Sequence, residues 1–122
     1  LPYTYKIGLH SLYRDGNLVT QDGYSGFPPH KNDAKACSIQ NVGPLPFGGY
    51  TIRDFCDHPM LGVLAAYLDP SVGNSMMGRG GFYIHGDSSA HPGESSHGCI
   101  VLPHDVRLMM SECPDRWLTV LP

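Results

Sequence analysis

Apolar positions along the chain come in short bursts, each cut off by turn-forming residues. Tyr3 to Leu12, rich in Tyr, Ile and Leu, predicts a strand. Arg14-Asp15-Gly16-Asn17 follows. Asp-Gly between apolar runs predicts a hairpin, because both turn positions tolerate positive φ, and Leu18 to Tyr24 is its returning strand. Ser25 to Gln40 is polar, contains Pro28-Pro29 and predicts a long loop of the kind that carries function. Gly43-Pro44-Leu45-Pro46-Phe47-Gly48-Gly49 predicts a turn feeding a strand over Tyr50 to Phe55. A further apolar run, Leu61 to Leu68, ends at Asp69-Pro70, and Asn74 to Gly81 is glycine-rich. Phe82-Tyr83-Ile84 predicts a short buried strand ending at His85, and Gly86 to Ser96 a polar loop. Asp105 to Cys113 is the one good helix candidate, with Pro103 near its start, Pro114 beyond its end and an apolar stripe of Val106, Met109 and Met110. Arg116 to Leu121 predicts a final strand. Many strands, one helix and short connections predict a small, mostly-β sandwich or barrel-like domain.

Composition narrows this picture. A chain of 122 residues is one domain by length, residues 1–122, because two independent cores would not fit. With 41% hydrophobic and 16% charged residues it is too apolar for a disordered chain. Fifteen glycines and eleven prolines exclude a mainly long-helical architecture. The net charge is -3 and the eight Lys and Arg residues do not cluster, which argues against nucleic acid as a partner. No apolar run approaches the length of a membrane span. The sequence starts at Leu1 without a signal-like segment, so any targeting segment is expected outside it.

The chemistry concentrates in Ile84-His85-Gly86-Asp87 and Ser95-Ser96-His97-Gly98-Cys99-Ile100. Cys99 stands in a Gly-containing turn ahead of the predicted helix. A helix N-terminus and a nearby imidazolium both favour the thiolate that attacks carbonyls. His85, ending a strand, is placed to serve as its base, and Gly86 permits close approach of another segment. The N–H groups of Gly98 and Cys99 are candidate oxyanion donors. A lone cysteine is usually a buried structural residue, but the polar His and Gly neighbours of Cys99 speak against that here. His97, Ser96 and Asp87 are equally readable as residues that shape the turn. A different chemistry remains open: His85, Asp87, His91 and His97 as zinc ligands of a metallopeptidase, although no His-Glu-x-x-His helix is present. A third reading is a binding module that has kept the fold and lost the chemistry.

Ser96-His97-Gly98-Cys99, preceded by His85 on a strand end, resembles the catalytic motif of bacterial L,D-transpeptidases. Pro46-Phe47-Gly48-Gly49-Tyr50 is similar to the family's Pro-x-Gly-x-aromatic turn, and Leu12-Tyr13-Arg14-Asp15-Gly16 to its opening hairpin. The resemblance implies Cys99 as the acylated nucleophile and His85 as its base, with His97, Ser96, Gly98, Gly86 and Asp87 shaping the site, and no cofactor. The implied substrate is the peptide stem of peptidoglycan, attacked after the L-centre of a diamino acid and before a D-residue. Two departures set this chain apart. Only ten residues separate His85 from Ser96, and Ile100-Val101-Leu102 replaces the polar residue and Arg usual after the cysteine. This compact pattern resembles most the L,D-transpeptidase-like effectors delivered by type VI secretion. The resemblance implies a secreted protein acting in the periplasm of a target cell, where it trims tetrapeptide stems as an L,D-carboxypeptidase or exchanges their terminal D-amino acid. Housekeeping crosslinking is the alternative. It also implies an immunity protein as partner; a monomer is expected.

Among the other residues, Cys37, Cys56 and Cys113 permit one bridge and a leftover thiol, or three reduced thiols, and the sequence does not decide. His10, His30, His58 and His104 are expected on the surface without partners. Trp117 is expected in the core, Tyr24 and Tyr83 as packing residues, and Arg53 and Arg79 as solvated charges.

Overall fold

The computed structural model describes residues 2–122. Among them ten strands and one α-helix are formed: β1 Tyr3–Lys6, β2 Ser11–Arg14, β3 Asn17–Thr20, β4 Tyr24–Ser25, β5 Gly48–Ile52, β6 Cys56–His58, β7 Gly62–Pro70, β8 Tyr83–His85, β9 Ile100–Val101, α1 His104–Glu112 and β10 Trp117–Leu121. The strands run in the order β3-β2-β1-β10-β5-β7-β8-β9-β4, with β6 paired to β7 outside that path. Two pairings are parallel, β1 with β10 and β8 with β9; the others are antiparallel. The mostly-β domain with one short helix after Cys99 is the architecture expected from the sequence.

Alternation places the core. Tyr3 and Tyr5 of β1, Tyr50 and Ile52 of β5, Ala66 and Leu68 of β7, and Leu118 and Val120 of β10 turn to one side and are buried. Ile84 of β8 and Ile100 of β9 join the same cluster, and Val106 and Met110 of α1 close it. Asp15 and Gly16 take φ of 52° and 81°, the positive values that the Asp-Gly hairpin between β2 and β3 requires.

Several elements differ from expectation. Tyr3 to Leu12 is two strands, β1 and β2, folded back on each other through a turn closed by His10 N–H to the Ile7 carbonyl. Its continuous apolar run conceals that turn, for which Gly8 is the only breaker. The segment after β3 crosses to the far end of the sheet, where β4 pairs with β9. β6 was not expected: Cys-Asp-His is polar and pairs on one side only. Trp117 lies on the outward face of β10 at 40% exposure, against the expectation of a core residue. Its ring packs against Gly49, where a Cβ would come within 2.2 Å of it. The Cys37, Cys56 and Cys113 thiols are all free, and Cys56 is exposed.

The face of α1 contains one residue that its apolar pattern does not announce. Arg107 is buried, and its guanidinium donates to the carbonyls of Leu102 (2.9 Å), Val63 (2.7 Å) and Leu64 (3.3 Å). It thereby ties the helix to β7 and to the strand that follows Cys99. Gly86 makes room for it, since a Cβ there would stand 2.5 Å from an Arg107 nitrogen. Arg107→Met keeps the bulk and removes the donors, leaving buried carbonyls unmet. A loss of about 3 kcal/mol is expected, read as a lower urea midpoint at unchanged slope.

Candidate active site

Paired Ile84 and Ile100 both point into the core. Their neighbours Tyr83, His85 and Cys99 therefore project to the opposite face of the β8–β9 pair. Cys99 stands across from Tyr83, whose N–H donates to the thiol sulfur at 3.3 Å, and His85 lies two residues further along the same strand. The sheet register thus brings nucleophile and base candidates onto one surface.

The protonation states follow from the surroundings. Burial pushes the Cys99 thiol above its ordinary value. The N–H groups of Tyr83 and Cys99 itself and the Arg79 charge oppose that shift without cancelling it. Burial likewise lowers the His85 imidazole, against the hydrogen bond to the Gly86 carbonyl, which raises it; the charge of Arg107 lowers it further. His85 Nδ1 lies 2.8 Å from the Gly86 carbonyl oxygen, an acceptor only, so Nδ1 carries the proton and Nε2 the lone pair. Nε2 is buried without a hydrogen-bond partner. At rest the thiol and the imidazole are each neutral, share one face of the sheet and form no hydrogen bond with each other. This corrects the expectation of a thiolate favoured by a helix N-terminus: Cys99 leads into β9, and α1 begins only at His104.

The turn that presents Cys99 is held from several sides. Ser96 is fully buried; its Oγ donates to the Cys99 carbonyl (2.5 Å) and accepts from the N–H groups of Gly26 (2.9 Å) and Gly98 (3.1 Å). The Gly98 N–H, expected as an oxyanion donor, is therefore already committed to Ser96. Ser25 Oγ donates to the Gly98 carbonyl at 3.0 Å. Gly98 has φ of +136°, and a Cβ there would meet Phe82 at 2.4 Å and Arg79 at 2.7 Å. Arg79 is buried, against the expectation of a solvated charge. It donates to the carbonyls of Cys37, at the end of the long loop, of Gly43 and Pro44 in the turn that follows, and of His97 near the cysteine.

His97 turns away from the thiol. Its ring stacks on Phe27 at 5.0 Å, and its Nδ1 bonds the Asn41 carbonyl at 2.8 Å. Asp87 organises the loop over the site, accepting from Tyr24 Oη (2.6 Å), Ser95 Oγ (3.0 Å) and the N–H groups of Ser88 and Gly93. Burial alone would raise its carboxyl, but these hydrogen bonds together bring it below the ordinary value. Tyr24 is thus a loop anchor as well as a packing residue. His91 is exposed on that loop. The zinc reading loses its geometry here: the described residues gather no group of three His, Cys, Asp or Glu side chains able to hold a metal ion.

The sequence reading passed over His58, whose Nδ1 accepts from the N–H groups of Met60 and Leu61 and whose ring meets the Tyr83 ring edge-on at 5.1 Å. A cavity of about 540 Å³ opens beside it, lined by Tyr67, Tyr83, Arg53 and Arg116 among others. A second hollow of about 320 Å³ is lined by the otherwise buried His85 together with Met60, Leu61 and Ser88. Histidine in a short polar segment gives no sequence signal of such a position.

Ser96→Ala removes three hydrogen bonds inside the turn and leaves two backbone N–H groups unmet. It is expected to cost about 2 kcal/mol in chemical denaturation and to slow alkylation of Cys99 by an iodoacetamide probe, as the thiol loses its fixed presentation.

Comparison with known proteins puts this geometry in context. The family model of the Tlde1 domain matches residues 19–113. No curated protein matches the chain. Among solved structures it is similar to L,D-transpeptidase 1 of Mycobacterium tuberculosis, with a TM-score of 0.53 and 17% identity over 98% of this chain and 60% of that one. It is likewise similar to an L,D-transpeptidase from Mycobacterium smegmatis, with a TM-score of 0.51 and 19% identity over 98% of this chain and 58% of that one. The chain thus spans about three-fifths of the length of these neighbours. With a match that takes in His85, the Ser96 to Cys99 turn and most of the sheet, the chain belongs to the Tlde1 domain family, on an L,D-transpeptidase fold.

Proposed function

We propose that this protein is a cysteine acyltransferase acting on the peptide stems of peptidoglycan, mainly as an L,D-carboxypeptidase, with D-amino-acid exchange as a side reaction. The observation that carries the reading is the free Nε2 of a neutral His85 on the sheet face from which the Cys99 thiol projects. The family and its fold supply the substrate class.

In the proposed reaction His85 Nε2 takes the thiol proton as Cys99 Sγ attacks the carbonyl of the diamino acid. A neutral pair needs this coupled transfer, because the thiol is protonated at neutral pH. The oxyanion forms on the carbon bonded to sulfur, so the N–H groups of Tyr83 and Cys99, which already face that sulfur, are its donors. Collapse breaks the C–N bond, and the departing D-residue takes the proton from His85 as its amine leaves. The thioester then meets water or the amine of a free D-amino acid, deprotonated by the same Nε2. The 86–96 loop is short and pinned through Asp87, leaving little surface to hold a second stem long enough to outcompete water. Action in the periplasm of a target cell, as a secreted effector with an immunity protein, follows from the same family resemblance and belongs to this proposal.

Cys99→Ala is expected to abolish release of the terminal D-residue from a disaccharide-tetrapeptide, followed by mass, while circular dichroism stays native. Turnover at the wild-type rate by the folded variant would defeat the reading. So would dominant dimer formation, which would return the protein to crosslinking.

The pH profile has a definite sign. His85 serves as base only when neutral, and its value is lowered below 6.5, so the acid limb of kcat/KM is expected below pH 6.5. Cys99 is raised above 9.0, so alkylation of the thiol in the absence of His85 is expected to accelerate only above pH 9. An alkylation rate in His85→Ala that is fast and flat near pH 6 would instead reveal a preformed thiolate.

A further inference from the structure

The cavity that reaches the candidate site through Tyr83 has no assigned part in the chemistry above. It opens on the outward side of β5, β7 and β8, with Tyr67 and Tyr83 on its walls and Thr51, Arg53 and Arg116 towards the far end. Its two guanidinium groups differ. Arg53 is paired with Asp69. Arg116 has a buried Nη1 with no hydrogen-bond partner, and among the described residues it forms no ion pair. Asp54 also lines the cavity and leaves Arg116 unpaired. A buried cationic donor without an acceptor is unfavourable until an anion reaches it, and a guanidinium matches a carboxylate in shape.

One row of backbone contacts joins this cavity to the thiol. Arg53 N–H donates to the Tyr67 carbonyl, Tyr67 pairs with Tyr83, and Tyr83 N–H donates to Cys99 Sγ. Three steps between strands, each about 4.8 Å, separate Arg53 from Cys99 by about 14 Å, the length of roughly four extended residues. Arg116 adjoins the same end, its carbonyl accepting from Ile52 N–H.

We infer that Arg116, assisted by Arg53, binds a free carboxylate of the acyl donor remote from the scissile bond, making this cavity a specificity site for the charged side chains of the stem. The inference rests on the reading of the preceding subsection, that a stem peptide acylates Cys99. It explains how donor carboxylates are recognised in a chain that carries Ile100-Val101-Leu102 after the cysteine, all three buried.

The test uses a disaccharide-tetrapeptide in two forms, the free acid and one amidated at its side-chain carboxylates with the terminal carboxylate left free. Binding of each is measured by calorimetry to Cys99→Ala protein, so that it does not depend on turnover. Amidation is expected to weaken binding about tenfold, the scale of one charge-assisted hydrogen bond. Adding Arg116→Gln is expected to weaken the free acid by a similar factor and to abolish the difference between the two forms, with partial recovery in Arg116→Lys. With Cys99 present, Arg116→Gln raises KM and leaves kcat near wild type. A folded Arg116→Gln protein that binds the free acid as tightly as its parent overturns the inference. So does an amidation penalty that persists in that variant, or a free acid that does not bind at all. If Arg116-dependent binding is found while Cys99 proves dispensable for turnover, the acyl-transfer reading fails and the carboxylate site stands. If Cys99-dependent turnover is indifferent to amidation, the reverse holds.

Discussion

The buried guanidinium of Arg79 is the interaction on which the site depends. Removing a cation from water is costly, and burial lowers its pKa accordingly. Four backbone carbonyls offset that cost, three from the 37–44 segment and one from His97. Because each acceptor is main chain, the guanidinium fastens backbone to backbone. It converts a polar loop remote in sequence into a wall for the turn that carries Cys99. The ring of Phe82 lies against the same guanidinium at 5.1 Å, so the β8 strand that ends at His85 is gauged from the same group. The Cys99 turn and the His85 strand end are thus positioned from a common charge.

The chemistry that results is quieter than that of a thiolate–imidazolium pair. Both groups are sunk far enough to prefer their neutral forms, and the dipole of α1 is too remote to alter that. A neutral thiol is a poor target for oxidants and stray electrophiles. In the proposed reaction, reactivity then appears only with a carbonyl docked, when proton transfer and attack proceed together.

The sequence made the candidate site and the mostly-β class legible, and the individual strands and their partners less so. His85 and Cys99 stand out because a strand end and a Gly-containing turn each expose one reactive side chain, and the Asp15-Gly16 hairpin follows from φ alone. β9 has two residues and β6 three, too few for any period to emerge. Arg79, between glycines, reads as a solvated charge, since nothing local foretells that carbonyls from residues 37 to 44 will surround it. Arg107 breaks the apolar stripe of α1 for the same reason. Trp117 misleads in the opposite sense: it was expected in the core, and strand alternation turns it outward. What escaped the sequence reading is long-range by nature, supplied by partners far along the chain.

The parallel contact between β1 and β10 has a kinetic meaning. β10, with the last residues of the sequence, lies between β1 and β5 in mid-sheet, so Tyr3 finds its neighbour Leu118 only across nearly the whole chain. Until that strand inserts, the β1–β3 meander and the β5–β9 half share no ladder. Loop-closure entropy must be met before the pairing yields any stabilisation, which makes such a topology slow to fold. The two parts of the sheet are therefore joined late and cooperatively, when β10 slots between β1 and β5.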